Sequence, residues 1–170
     1  MIHRPGFRLI LSCKLPKLVW SPTLALLLMA LSVVIPSTAQ ADETVSVPGN
    51  HPWVDTGISV DYGNSMSFSA SGLVNIYGGR ADSYKTPQGS RDCTTAPDKY
   101  GGQWLLMGAP CWSLIGRVGS GPAFEIGTGA IWAAPNGGTI YLSVDDESLA
   151  SFNDNSGQWT VVISIGSGGR

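Results

Sequence analysis

From residue 44 onwards, the chain contains many short runs in which apolar and polar residues alternate. In the run 65–71, Met66, Phe68 and Ala70 fall on one side and serines on the other, as in a half-buried β-strand. No apolar stripe of helical period extends over ten residues in this part of the sequence. The alternation predicts strands at 44–47, 53–60, 65–71, 73–77, 112–118, 124–126, 130–134, 139–143 and 158–165.

Turn-forming residues separate the predicted strands. Pro135-Asn136-Gly137-Gly138, for example, is typical of a hairpin turn. Short strands broken at such intervals predict an all-β domain, namely a two-sheet antiparallel β-sandwich or jelly roll. The segment 78–113 is rich in Gly and Pro and is predicted as a long irregular excursion, whose aromatic residues and two cysteines argue against disorder.

The first 41 residues have the pattern of a secretory signal. Basic residues precede an apolar run at 24–35, and the small residues of 37–41 follow it. A membrane-spanning helix needs roughly 20 apolar residues, and this run is shorter. We therefore predict cleavage after Ala41, a single mature domain at 42–170 without a membrane span, and a secreted or periplasmic location.

The predicted mature domain is acidic. All 12 acidic residues but only six of the ten Lys and Arg residues follow Ala41, which gives a formal net charge of −6. Without a basic stripe, such a domain is not expected to bind nucleic acid or an anionic membrane surface. Cys93 and Cys111 are the cysteines left after cleavage, and in an exported protein they are predicted to form a disulfide. Two free thiols or a reactive pair are the alternative.

An acidic loop at 144–157 joins the strands predicted at 139–143 and 158–165. Carboxylates packed this closely repel one another, and a hard divalent cation with oxygen ligands offsets that repulsion. The loop therefore predicts a Ca²⁺ site. The alternative is a solvated acidic turn with local side-chain hydrogen bonds. The acidic and amide residues of the loop are Asp145, Asp146, Glu147, Asn153, Asp154 and Asn155.

Catalytic chemistry has little support in the sequence. His51 is the only histidine after Ala41 and lies in a proline-flanked turn, so a Ser-His-Asp or Cys-His device would depend on it alone. A zinc site would need three or four His and Cys ligands. A glycosidase that uses two carboxylates, for instance Glu125 with an acid of the 144–157 loop, stays open as an alternative. We predict that the protein is not an enzyme.

Several motifs of the predicted domain resemble the PA-IL-like bacterial galactophilic lectin family. They are SLIGRVGSGP at 113–122, IG at 126–127, AAPN at 133–136, IYL at 140–142, DD at 145–146 and DNSG at 154–157, with opening strands at 53–58 and 68–72. The resemblance implies a galactose-binding-domain-like jelly roll, in which a Ca²⁺ ion bridges protein and sugar hydroxyls. It also implies that copies of the chain can form a homo-oligomer.

The resemblance implies a set of ligand-binding residues. Side chains of Asp146, Asp154 and Asn155 and backbone carbonyls of Tyr77 and Ser151 are the implied metal ligands. The family's sugar-contacting His is replaced near residues 96–97, and its Gln falls at Lys99 or Tyr100, so galactose specificity does not follow. The implied sugar-binding set is Tyr77, Lys99, Tyr100, Asp146, Glu147, Asp154 and Asn155, and Trp104, Trp112 or Tyr100 is a candidate stacking surface.

The sequence thus predicts an exported, calcium-dependent carbohydrate-binding module for galactose or another sugar with vicinal hydroxyls. A structural or assembly β-sandwich that binds no sugar is the main alternative.

Overall fold

The structure is a computed structural model that describes residues 41–96, 104–148 and 150–168. The predicted signal lies outside the described residues except for Ala41, and so do Lys99 and Tyr100. Among the described residues, no helix is of the length and apolar character needed to cross a membrane.

Eleven strands and one 3₁₀ turn form the described part of the chain. The strands are β1 (Glu43–Pro48), β2 (Val54–Val60), β3 (Ser65–Asn75), β4 (Tyr84–Lys85), β5 (Ser90–Thr94), β6 (Pro110–Cys111), β7 (Leu114–Val118), β8 (Phe124–Glu125), β9 (Gly129–Ala133), β10 (Gly138–Val144) and β11 (Ser156–Gly166). The 3₁₀ turn, Ser151–Asp154, lies between β10 and β11.

Two antiparallel sheets pack face to face. The first has the order β1-β11-β3-β4, with β9 also beside β3, and the second has the order β2-β10-β7-β8. A small ribbon of β5 and β6 stands apart from both. The predicted all-β, two-sheet antiparallel sandwich is therefore confirmed.

The core lies between the two sheets, because alternate residues of each strand point inward. Buried side chains of β3 and β11 meet those of β7 and β10 in a single apolar cluster. Its members include Met66, Phe68, Trp159, Val161, Ile163, Leu114, Val118, Ile140, Leu142 and Val144. The run with Met66, Phe68 and Ala70 on one face is thus a core-facing strand, as its alternation indicates.

The strand β3 is longer than predicted. It runs without a break through Gly72, where the sequence predicted a boundary between two strands. Gly72 has a φ of 105°, and a Cβ at this position would lie 2.8 Å from the carbonyl oxygen of Gln158 on β11. Only glycine fits this close approach of two strands, so here a glycine continues the strand instead of ending it.

The segment predicted as one irregular excursion, 78–113, contains three short strands in its described part, namely β4, β5 and β6. Cys93 on β5 forms the predicted disulfide with Cys111 on β6. These pairings are short and irregular, and alternation over two to five residues is too brief to show in the sequence.

Trp159 joins the core to the edge of the first sheet. Its side chain is fully buried, and its indole nitrogen Nε1 donates a hydrogen bond of 3.1 Å to the carbonyl oxygen of Lys85 on β4. We expect Trp159→Ala to lower the free energy of unfolding by about 3–5 kcal/mol, measured by urea denaturation. Ile131, which is 75% exposed on β9, provides the control. Ile131→Ala should change the stability by less than about 0.5 kcal/mol, and equal losses for both variants would contradict this account of the core.

Candidate functional site

A groove with a cavity of about 500 Å³ lies where β3 and β10 end and β11 begins. We call it the acidic groove, because four carboxylates and two cationic side chains line it. Its lining residues are Ile76, Tyr77, Arg80, Asp82, Ser83, Lys85, Trp112, Asp146, Glu147, Ser151 and Asp154. A volume in the range of about 300–1,000 Å³ is typical of small-ligand sites.

The structure brings the described part of the predicted site together. Of the five predicted metal ligands, Tyr77, Asp146, Ser151 and Asp154 line the acidic groove. Asn155 is buried and contacts Asp146 directly. The predicted sugar contact Glu147 also lines the groove, whereas Lys99 and Tyr100 lie outside the described residues.

Asp146 is the most buried carboxylate of the groove. It is only 2% exposed. Its Oδ1 accepts a hydrogen bond of 2.8 Å from the backbone N–H of Glu147, and its Oδ2 accepts one of 2.8 Å from Nδ2 of Asn155. The same Nδ2 donates to the carbonyl oxygen of Gly49 at 3.1 Å. The loops after β10 and before β11 are thereby joined to the turn after β1.

The other amide atom of Asn155 differs from Nδ2 in its surroundings. Its Oδ1 is buried and accepts no hydrogen bond from the described residues. A buried acceptor without a donor is costly, so this atom is explained if an electron-poor group binds beside it.

The donors gathered at the acidic groove suit a hard cation. Asp146 and Asp154 line the groove with carboxylates. Asn155 is not part of the lining, but its Nδ2 bonds to Asp146, and its Oδ1 accepts no hydrogen bond from the described residues. With nearby backbone carbonyls, these groups offer the oxygen ligands that Ca²⁺ prefers. The carbonyl of Tyr77 accepts one hydrogen bond, of 3.2 Å from Arg80, and keeps a second lone pair. Among the residues that the structure describes, no group of three or more His, Cys, Asp and Glu side chains is placed to hold a metal. The fit therefore depends on amide and carbonyl oxygens as much as on carboxylates.

Two tight loops present these groups. Asn75, at the end of β3, is fully buried, and its Oδ1 accepts hydrogen bonds from the backbone N–H groups of Tyr77 at 3.1 Å and Gly79 at 2.9 Å. Its Nδ2 donates to the carbonyl of Arg80 at 2.7 Å. The N–H of Gly78 then donates to the carbonyl of Asp154 at 2.9 Å, which holds the Tyr77 loop against the 3₁₀ turn.

Asp145 has a different role from its neighbour Asp146. It is fully buried and its Oδ1 accepts a hydrogen bond of 2.9 Å from the N–H of Leu106. The pKa of this carboxyl is raised to about 7, because burial, helped by the charges of Asp146 and Glu125, outweighs the backbone hydrogen bonds that lower it. Asp145 thus anchors the loop around Leu106, and it is absent from the lining of the acidic groove. Because Asp145 and Asp146 are both buried, the alternative of a solvated acidic turn is wrong for these two residues.

Glu125 lies away from the acidic groove. It lines a separate cavity of about 540 Å³ with Phe124, Trp132 and Met107. Glu125 therefore shares no cavity with Asp146, Glu147 or Asp154, whereas its charge acts on the fourth acid of the loop, Asp145. His51 is exposed in the turn after β1.

Sequence reasoning missed four polar groove residues, which are Arg80, Asp82, Ser83 and Lys85. Arg80 pairs with Asp82 at 3.5 Å and lies over the ring of Tyr77, 5.4 Å from its centre. Nζ of Lys85 lies 5.4 Å from the ring centre of Trp112, one of the predicted stacking residues, and Trp104 packs edge-on against the same ring at 5.6 Å. Only their proximity to Tyr77 in the sequence pointed to the missed residues, because spacing within a loop does not define which side chains converge.

Comparison with known proteins gives a likeness in fold. No protein-family model matches the sequence, and no curated protein matches it. Among solved structures, the chain resembles the N-terminal domain of EclA, described as a PllA-like lectin, with a TM-score of 0.54 and 24% sequence identity. The match covers 72% of this chain and 94% of that chain. The likeness shows that this chain has the β-sandwich fold of that lectin domain, while membership in the PA-IL-like family stays a prediction.

We expect Asn75→Ala to loosen the Tyr77 loop, because two backbone N–H groups and one carbonyl lose their hydrogen-bond partner. The free energy of unfolding should fall by about 1–3 kcal/mol. Hydrogen exchange at residues 77–80 should quicken by more than the global loss explains. Ser71→Ala, on the exposed face of β3, is the control. Unchanged protection of residues 77–80 in Asn75→Ala would contradict the role of this side chain.

Proposed function

We propose that this protein is a calcium-dependent carbohydrate-binding module that acts outside the cytoplasm. The observation that carries the proposal is the buried, unpartnered Oδ1 of Asn155 beside the buried carboxylate of Asp146. Asn155 and Asp146 both belong to the set of metal ligands that the family resemblance implies. The convergence of Tyr77, Ser151 and Asp154 on the same groove supports it.

The proposed metal ligands are side chains of Asp146, Asp154 and Asn155 and backbone carbonyls of Tyr77 and Ser151. When bound, Ca²⁺ supplies open coordination positions that take vicinal sugar hydroxyls in place of water. The fixed hydrogen bonds of Asp146 keep this carboxylate in place before any ligand binds, so little ordering is needed on binding.

Other groups of the acidic groove would contact the sugar directly. Carboxylate oxygens of Glu147 and Asp154 accept hydrogen bonds from hydroxyls, and the ring of Trp112 offers an apolar surface to the C–H face of a pyranose. Lys99 and Tyr100 remain predicted sugar contacts. A single groove of this kind binds weakly, so presentation of several copies, as in the predicted homo-oligomer, would raise the avidity.

The proposal has two further supports. The fold is shared with a protein described as a lectin. The signal pattern of the first 41 residues and the Cys93–Cys111 disulfide both favour an oxidising compartment outside the cytoplasm.

The metal assignment is tested by Asp146→Asn, which keeps the shape of the side chain and removes its charge. Calorimetry should show Ca²⁺ binding to the wild type, loss of that heat in chelator, and an affinity at least about ten-fold weaker in the variant. Asp61→Asn makes the same charge change at an exposed turn between β2 and β3, and it should bind Ca²⁺ as the wild type does. Equal Ca²⁺ binding by Asp146→Asn and the wild type would remove the site.

Sugar binding is tested on a glycan array that presents many sugar copies per spot. We expect signals in Ca²⁺ that disappear in chelator and in Asp146→Asn. Binding of Ca²⁺ in calorimetry with an empty array would instead favour the structural module, in which the ion only stabilises the loops. Release of chromophore from a panel of chromogenic glycosides would contradict the assignment as a non-enzyme.

A further inference from the structure

The acidic groove contains a lysine and a tryptophan that the proposed calcium site does not use. Lys85 and Trp112 both line the groove, and Nζ of Lys85 lies over the indole ring, 5.4 Å from its centre. Such a pair places a positive charge beside an apolar plane.

Lys85 is fixed at its backbone. It pairs with Val74 of β3, and its carbonyl accepts the hydrogen bond from the buried Trp159. Among the described residues, no carboxylate lies within ion-pair distance of its amine, whereas the other cation of the groove, Arg80, already pairs with Asp82. The three N–H donors of Lys85 are therefore available for a negatively charged ligand group.

The backbone of Trp112 is also fixed by its surroundings. Its φ is 58°, a left-handed conformation that is rare for a residue with a large side chain. Its N–H donates a hydrogen bond of 2.9 Å to the carbonyl of Asp145, and it follows Cys111, which is buried and disulfide-bonded. Trp104 supports the ring from its edge. Strained, over-determined backbone of this kind is concentrated at ligand sites.

The charges of the groove fit an anionic sugar only when the cation is present. Asp146 and Asp154 each bring a negative charge to the groove, and a divalent cation offsets these two charges. The hydroxyls of a sugar acid could then bind the cation, while its carboxylate pairs with the amine of Lys85.

From this arrangement we propose that the groove selects sugars that carry a carboxylate, of the hexuronic acid class, with Lys85 as the residue that determines specificity and Trp112 as the stacking plane. This inference rests on the proposed calcium-dependent sugar binding. It adds a substrate class that neither the fold nor the predicted family implies.

The test compares methyl glycosides of galactose, glucose and mannose with the corresponding uronic acids, by calorimetry in Ca²⁺. For at least one of the three configurations, the acid should bind about ten-fold more tightly than the neutral sugar. Lys85→Met should remove that difference in affinity between the acid and the neutral sugar, and Lys85→Arg should keep it. Arg91→Met removes one charge from the exposed face of β5, outside the groove, and should leave the difference unchanged. Thermal unfolding of each variant verifies that it is folded.

Salt gives a second measurement. Raising the salt concentration from about 50 to 500 mM should lower the affinity for the uronic acid more than the affinity for the neutral sugar in the wild type. In Lys85→Met, salt should change the two affinities equally. Equal affinity for acid and neutral sugars in all three configurations, or an unchanged preference in Lys85→Met, would overturn this inference and leave the proposed function standing. Failure of every sugar of this panel and of the array to bind in Ca²⁺ would overturn the proposed function itself.

Discussion

The hydrogen bond between Nδ2 of Asn155 and the carboxylate of Asp146 is the contact on which the acidic groove depends. It is buried, and it joins the segment that follows β10 to the residue that precedes β11, two consecutive strands that lie in different sheets. A charge-assisted hydrogen bond in such surroundings is stronger than one in water, because the surrounding medium screens it poorly. It fixes a carboxylate beside an amide oxygen that accepts no hydrogen bond from the described residues, and the proposed cation site rests on that combination.

The sandwich provides a rigid support for this contact. Strands β3 and β11 pair over their whole length, so Asn75 and Ser156 lie side by side at the end of the first sheet. Val144 pairs with Leu114 at the end of β10, and Asp145 and Asp146 follow directly. Loops on such a scaffold hold ligand-binding groups more precisely than loops without one, because their ends are fixed by paired strands.

Two adjacent acids of the acidic loop have different roles. Asp145 turns away from the groove and holds the backbone of Leu106, while Asp146 faces Asn155. Neighbouring residues in an extended segment point in opposite directions, so one acid supports the loop that carries Trp104 and the other lies at the groove. The aromatic and acidic parts of the site are thereby coupled through the backbone between residues 145 and 146.

The sequence by itself determined the fold class and most of the acidic part of the candidate site. Alternation of apolar and polar residues defines core-facing strands, since it follows directly from strand geometry, and the acidic loop is contiguous in the chain. The sequence alone did not determine the continuity of β3 through Gly72, the short strands β4 to β6, or the position of Lys85 over Trp112. Those features arise where distant segments pack together, and their local patterns are too short to specify them. Only the tertiary structure decided which acid is buried at the groove, which amide oxygen is left without a partner, and which lysine lies beside a tryptophan, because each depends on contacts between residues far apart in the sequence.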